Sequence, residues 1–273
     1  MIDLHTHTTA SDGLMTPREL LDEAQQVGVR YLAITDHDSI DGYLAIREES
    51  KQAKVRVLPG IEWNTDGPDG ELHILGYGFD IADPRLHYII DRRKQERIDW
   101  AKEIVGKCRQ LGMEIPFADC LARAKGGVVV RTHIAEVLVS HGYGTDPREV
   151  FGKLLQKGCP AYVPRPVFTA REAIELTREI GGIAILAHPG IYPFEFDFKL
   201  LVEYGIDGVE VYHAKHSPEQ TTKWEREAQQ YNLIRSGGSD FHGYGSRNPH
   251  PIGSVDIPPE VKEWWTCFMS HQP

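Results

Sequence analysis

The chain alternates short apolar, β-branched runs with longer stretches whose apolar residues recur every three or four positions. The short runs predict strands at IDLHTH (2–7), YLAIT (31–35), VRVLPGIE (55–62), ELHILGYGF (71–79), GIAILAH (182–188), GVEVY (208–212) and LIRSGGSD (233–240). Helical patterns lie between them. TPRELLDEAQQVG (16–28) offers Thr16 as a cap and Pro17 at the first helical position, with Leu20, Leu21, Ala24 and Val27 on one face. DGYLAIREESKQA (41–53) is similar. TAREAIELTREIGG (169–182) starts on a threonine cap and ends on glycine, and KHSPEQTTKWEREAQQY (215–231) is a further polar helix.

This alternation predicts parallel βα units, and seven such strands suggest a barrel rather than an open sheet. The pattern breaks between residues 86 and 167, where LHYIIDRRKQERIDWAKEIVGKCRQLG (86–112), THIAEVLVSHG (132–142) and PREVFGKLLQKG (147–158) read as helices and PAYVPRPV (160–167) leads back. The expectation is an α/β barrel built from 1–85 and 168–273, with a helical insertion at 86–167 that covers its active face. The apolar segment EWWTCFM (263–269) should dock on the barrel.

Composition narrows the class. A chain of 273 residues suits one large domain with a sizeable insertion. Its longest apolar runs, such as IAILA (183–187), are strand-sized, far short of the roughly 20 residues that span a membrane. No basic stretch followed by an apolar one opens the chain, so neither a signal peptide nor a membrane partner is expected. Four scattered cysteines without CxxC spacing suit reduced thiols in a cytoplasmic protein better than a disulfide framework. A formal net charge of −10 argues against stable binding of duplex DNA. An anionic small substrate stays open, because divalent cations reverse the sign of an acid-lined pocket.

Histidines and carboxylates crowd the strand ends. His5 and His7 are two apart in the first predicted strand, so both imidazoles face one side. Asp12 follows in SDG. TDHD (35–38) supplies His37, GIE (60–62) supplies Glu62, ELHILG (71–76) supplies His73, LAHPG (186–190) supplies His188, and GGSDFH (237–242) supplies Asp240 and His242. A packing histidine fits any one of these places; the set is better explained by the C-terminal face of a βα barrel, where such folds build active sites. Imidazoles and carboxylates without a thiolate suit two or three ions such as manganese, iron or zinc. Clustered ions of this kind generate hydroxide from bound water and neutralise charge on a phosphoryl group.

DLHTHTTASDG, TDHD, PGIE, HILG, AHPG and GSDFH, in this order, resemble the motifs of the PHP (polymerase and histidinol phosphatase) family. The resemblance spans residues 3–242. It implies a distorted seven-stranded βα barrel with three divalent ions, manganese foremost and iron or zinc as alternatives. His5, His7, Glu62 and Asp240 would surround one ion, Glu62, His73 and His188 a second, and Asp12, His37 and His242 the third. The order of motifs, with its helical insertion, resembles the small stand-alone branch. That implies hydrolysis of the 3′-phosphate of nucleoside 3′,5′-bisphosphates by a hydroxide bridging two ions, with Asp240, His37 and His188 in the catalytic machinery. The leaving oxygen's proton comes from water on a metal, from His188 or from His37. Alternatives are 5′→3′ exonuclease action on short RNA, a histidinol or sugar phosphatase, and a metal-binding module without turnover. Small nucleotides and short RNA are the expected partners.

For the insertion, the branch resemblance places an Arg-x-His at a substrate phosphate, here Arg131 and His133 in VVVRTHIAEVL (128–138); the competing reading is a surface arginine at a helix cap. Arg131 also precedes a helix whose N-terminal amides favour an anion. Arg93 and Arg97 share a helix face in DRRKQER (91–97). Arg165 in VPRP and His213 after the sixth strand complete the candidate substrate contacts. Trp63 and Tyr77 suit core packing better than base stacking.

Overall fold

Seven strands form one sheet in chain order: β1 (Ile2–Asp3), β2 (Tyr31–Ile34), β3 (Arg56–Asn64), β4 (His73–Tyr77), β5 (Ile183–Leu186), β6 (Gly208–His213) and β7 (Ile234–Gly238). In this computed structural model, which describes residues 1–124, 129–246 and 248–272, the first and last strands meet. Leu4 N–H donates to Gly237 O at 3.3 Å, Thr6 bridges Phe241, and His7 N–H donates to Phe241 O at 2.9 Å. The barrel is thus nearly closed. Among the described residues, no helix is long and apolar enough to cross a membrane.

The strands are not all parallel. β4 runs antiparallel to both neighbours, with Asn64 opposite His73 and Glu62 opposite Leu75. The reason is local. The connection 65–72, TDGPDGEL, is glycine- and proline-rich, and too short for the crossover of a dozen or more residues that parallel neighbours need. A hairpin is all it can make. The reversed strand brings its first residue, His73, to the end of the barrel where parallel strands present their last. β3 accordingly runs on past Glu62 to Asn64 instead of ending at the carboxylate.

The helices are α1 (Pro17–Val27), α2 (Asp41–Ser50), α3 (Pro84–Gln110), α4 (Phe117–Arg123), α5 (Arg131–Ser140), α6 (Pro147–Val150), α7 (Ala170–Glu179), α8 (Phe198–Glu203), α9 (Pro218–Gln230) and α10 (Pro259–Ser270), with a π-helical turn at Phe151–Leu155. Capping chemistry sets several starts. Thr16 with Glu19, Thr169 with Glu172, and Ser217 with Gln220 form reciprocal capping boxes. Gly28, at φ 83°, ends α1 in the left-handed region.

The chain divides into two compact units, Met1–His87 with Val167–Pro273, and Tyr88–Pro166. The first holds the barrel. Leu20, Leu21 and Ala24 of α1 pack with Leu32, Ile34 and Phe241. Trp265 of α10 is buried, stacks edge-on against Tyr77 at 5.1 Å and donates to Arg235 O. Trp63 and Tyr77 are fully buried and bonded to Thr177 Oγ1 and Leu4 O, so both belong to the core. The second unit has its own core around Trp100, Ile104, Cys108, Ile134, Leu138 and Leu155.

Two glycines test this packing. A Cβ on Gly238 would stand 2.5 Å from the backbone nitrogen of His5, where β7 meets the chain leaving β1. Gly238→Ala should therefore cost about 1–3 kcal/mol of stability. Gly106, inside α3, has nothing within 4 Å of that point; Gly106→Ala should stabilise by about 0.5–1 kcal/mol. Denaturant midpoints check both, and equal responses would refute the tight seam at β7.

Candidate metal centre

The site grows from the ends of six strands, β1 to β5 and β7. The segment after β1 carries His5 and His7. Both lie beyond the paired residues Ile2 and Asp3 and are held by Thr6 and His7 contacts to Phe241, so the expectation that they sit in the first strand is corrected. They remain wholly buried, with ring centroids 5.2 Å apart. The following turn is clamped by Asp36, whose carboxylate accepts Thr8 N–H and Thr8 Oγ1 at 2.7 Å and Ser11 Oγ at 2.6 Å. A Cβ on Gly13 would collide with His7 O at 2.5 Å, so this turn needs glycine. The clamp places Asp12 with Oδ1 3.2 Å from His242 Nε2.

Glu62 is the hub. It is 1% exposed, and five imidazoles surround its two oxygens. His73 Nδ1 and His188 Nε2 lie 2.8 and 3.0 Å from Oε1. His5 Nε2, His7 Nε2 and His37 Nδ1 lie 3.3, 3.1 and 3.2 Å from Oε2. Asp240, just past β7, faces His5 Nε2, His7 Nε2 and His242 Nδ1 with Oδ1 at 3.3–3.5 Å. His242 Nδ1 donates to Asp240 O at 2.8 Å, which leaves Nε2 for Asp12. His188 and Asp240 take φ values of 28° and 53°, a left-handed backbone that non-glycine residues adopt under constraint.

The donors fit cations. His5 Nε2, both nitrogens of His7, His37 Nδ1, His188 Nδ1 and Glu62 Oε2 are buried without a hydrogen-bond partner. Buried polar atoms are nearly always paired. A cluster of unpaired lone-pair donors with three carboxylates is suited to metal ions. Three groups place their donor atoms within 4.8 Å of one another: His7, Asp12, His37 and His242; His5, His7, Glu62 and Asp240; and His37, Glu62 and His73. The second matches the expected set. The first adds His7 to the expected trio. In the third, His37 stands where His188 was expected, although His188 also reaches Glu62.

Two supports were not anticipated. Glu210, buried in β6, receives His5 Nδ1 at 2.9 Å and the N–H of His188 at 2.7 Å. Tyr192 accepts the N–H of His73 at 2.8 Å and donates to Ala187 O. A glutamate inside the apolar strand GVEVYH was the available signal for the first. His213, expected to meet substrate, has a fully buried side chain with Nε2 3.4 Å from Asp240 Oδ2. It faces the ligands instead.

The remaining expected contacts lie in the second unit. Arg131 opens α5, its guanidinium 5.5–6.0 Å from the ring centres of Phe151, Tyr162 and Trp100. His133 Nδ1 accepts the N–H of Val130 at 3.3 Å. Arg93 is buried, and Arg165 lies over Trp100. Arg97 lies in α3.

Relatives bear on the class of this site. The PHP domain profile matches residues 3–102. Over 247 residues the chain is 36% identical to the 5'-3' exoribonuclease Rnm of Salmonella typhimurium, covering 88% of this chain and 84% of that one. Over 270 residues it is 30% identical to the 3',5'-nucleoside bisphosphate phosphatase of Chromobacterium violaceum, covering 97% and 95%. Its fold matches the crystal structure of a candidate metal-dependent phosphoesterase from Bifidobacterium adolescentis, with TM-score 0.80, 28% identity, and 97% and 95% of the chains covered. A nearly closed βα barrel with His, Asp and Glu clusters at one end defines a metal-dependent phosphoesterase, a hydrolase. The chain belongs to the PHP family.

Charge couples the site to pH. Burial pushes Glu62 up, but His37, His5 and His73 outweigh it and hold its carboxyl well below the usual carboxylate range. Burial opposes charge on His7, yet the Asp240 and Glu62 carboxylates carry it up to about 10. Burial takes His37 down to about 4 despite Glu62 and Asp12. In the metal-free protein, the His7 contribution to stability is full below the unfolded value of 6.5 and is lost as pH rises towards about 10. An ion needs His7 neutral. Cation uptake at pH 7 should therefore release protons, and apparent affinity should rise with pH across that window. Calorimetric titrations in buffers of different ionisation enthalpy check this; uptake without proton release would remove His7 from the ligand set.

Proposed function

We propose that this phosphoesterase removes the 3′-phosphate of nucleoside 3′,5′-bisphosphates, leaving the 5′-mononucleotide. The observation that carries the reading is the convergence of His5, His7, Asp12, His37, Glu62, His73, His188, Asp240 and His242, in overlapping groups that share Glu62, His7 and His37. Overlap of that kind suits three adjacent ions better than one, with manganese first and iron or zinc as alternatives. Bound ions supply a water nucleophile at neutral pH and positive charge for the phosphoryl oxygens.

The chain's own residues do the rest. Glu62 and Asp240 stay ionised and fix the imidazoles around one small volume. His37, held neutral by burial, has a nitrogen free of a proton at physiological pH. The leaving ribose oxygen must gain a proton; water on a bound ion, His188 or His37 is the proposed source, and a neutral His37 can give one only after taking one up. The second phosphate needs an anchor of its own, because holding one phosphate while the other reacts converts affinity into orientation. Arg131, with Arg93, Arg97, Arg165 and His133, is the proposed source of that anchor. Arg131 keeps a stiff guanidinium among three aromatic rings, the geometry in which arginine binds phosphate with little loss of side-chain freedom.

The Chromobacterium violaceum phosphatase aligns over nearly the whole chain and supports this substrate. The higher identity to the exoribonuclease favours a second reading, stepwise removal of 5′-nucleotides from short RNA.

Phosphate release with Mn²⁺ separates the two. Adenosine 3′,5′-bisphosphate should be turned over in preference to 5′-AMP and histidinol phosphate. Mononucleotides appearing from a short 5′-phosphorylated RNA, with the bisphosphate untouched, would move the chain to the exonuclease reading. Asp240→Asn should bring release to background while the protein keeps its circular dichroism spectrum. Arg131→Ala should raise KM for the bisphosphate about 10- to 100-fold, the worth of a charge-assisted hydrogen bond. An unchanged KM would remove Arg131 from substrate binding.

A further inference from the structure

We propose that Glu210 is a positioning residue for the metal centre, holding the proton of His5 on Nδ1 and pinning the backbone of His188. The proposal rests on the metal-centre reading above and deepens it.

The geometry is specific. Glu210 is 0% exposed and uses both oxygens. Oε1 lies 2.9 Å from His5 Nδ1, and Oε2 accepts the N–H of His188 at 2.7 Å. A neutral imidazole has one N–H donor and one lone pair. With the proton on Nδ1, the His5 lone pair lies on Nε2. That nitrogen points where Glu62 Oε2 and Asp240 Oδ1 converge, at 3.3 and 3.4 Å. The second bond acts on a different residue by a different route. His188 has φ 28°, a backbone state that persists only when its surroundings impose it. A buried hydrogen bond to its amide, in a segment preceding the Pro189–Gly190 turn, is such an imposition.

A ladder irregularity aims the side chain. The β6–β7 register shifts between Glu210 and Tyr212. Without it, positions 210 and 213 would face opposite sides of the sheet. With it, Glu210 meets His5 and His213 meets Asp240. Bulges of this kind re-aim side chains beside active sites. β6 supplies none of the nine proposed ligands, yet two of its side chains touch them. A carboxylate behind a ligating histidine also raises the basicity of that ligand, and removing such a partner costs metal affinity.

Glutamine is the discriminating substitution. Its single carbonyl oxygen can accept one of the two hydrogen bonds, and its amide nitrogen can accept neither. Titration calorimetry of the metal-free protein with Mn²⁺ should show Glu210→Gln binding about 10- to 100-fold more weakly than wild type. Activity at low Mn²⁺ should fall and recover as the ion is raised, with KM for substrate unchanged. A folded Glu210→Gln protein with wild-type Mn²⁺ affinity overturns the proposal and leaves the metal centre standing. A wild type that binds no divalent ion overturns both. Should the variant not fold, nitrogen NMR of wild-type protein loaded with Zn²⁺ decides. A protonated Nδ1 and zinc-bound Nε2 on His5 support the assignment. Zinc on Nδ1, or a proton on Nε2, overturns it.

Discussion

One carboxylate organises this end of the barrel. Glu62 is buried on β3 and meets imidazoles delivered by the segment after β1, the end of β2, the start of β4 and the end of β5. A buried charge is tolerated only when it is paired. Glu62 is over-supplied, with five ring nitrogens competing for two oxygens. Without an ion, the Glu62 and Asp240 carboxylates favour a proton on His7 and raise it against its burial. The arrangement makes little sense as a stability device, because buried ion pairs seldom repay their desolvation. It makes sense as a set of lone pairs held apart from water until cations arrive.

Delivering five rings to one carboxylate constrains the fold around it. The hairpin between β3 and β4 brings His73 to Glu62 from the diagonal position across the ladder. Near-closure between β1 and β7 brings His5 and His7 to Asp240. Backbone strain at His188 and Asp240 marks where the chain has been bent to present a side chain. Buried carboxylates hold the presenting segments: Asp36 clamps the turn before Asp12, and Glu210 meets His5 Nδ1 and accepts the His188 amide.

Much of this was legible in the sequence, and the reasons are periodicity and position. Strand candidates stood out as β-branched runs, and most candidate ligands fell at or just past a run's C-terminal end, where barrels build active sites. What escaped was tertiary. The reversal of β4 was written in the brevity of 65–72, a clue overridden by the prevailing βα rhythm. His5 and His7 share a side although they lie past the β1 ladder, because Thr6 between them is bonded to Ala33 and Thr35 on one flank and bridges Phe241 on the other. Glu210 and His213 are three apart, a spacing that argues for opposite faces in a strand; only the register shift unites them. His213 read as a candidate substrate contact because it follows the sixth predicted strand on the catalytic face; its side chain is buried against Asp240.

Charge then orders the events at the site. The chain carries a net −10, and Asp12, Glu62, Asp240 and Glu210 concentrate negative charge at the centre itself. A phosphate dianion approaching that group without cations meets repulsion in a medium of low dielectric. Bound divalent ions would invert the local sign and turn the repulsion into attraction. The acidity that argues against duplex binding is therefore compatible with a phosphoesterase, provided that metal precedes substrate. Among the described residues, the groups whose geometry could hold an ion all lie at this centre, so attraction for phosphate is local to it. A protein built this way suits small or short anionic substrates, whose phosphates stay close to the ions, better than a long polyanion that must cross an acidic surface.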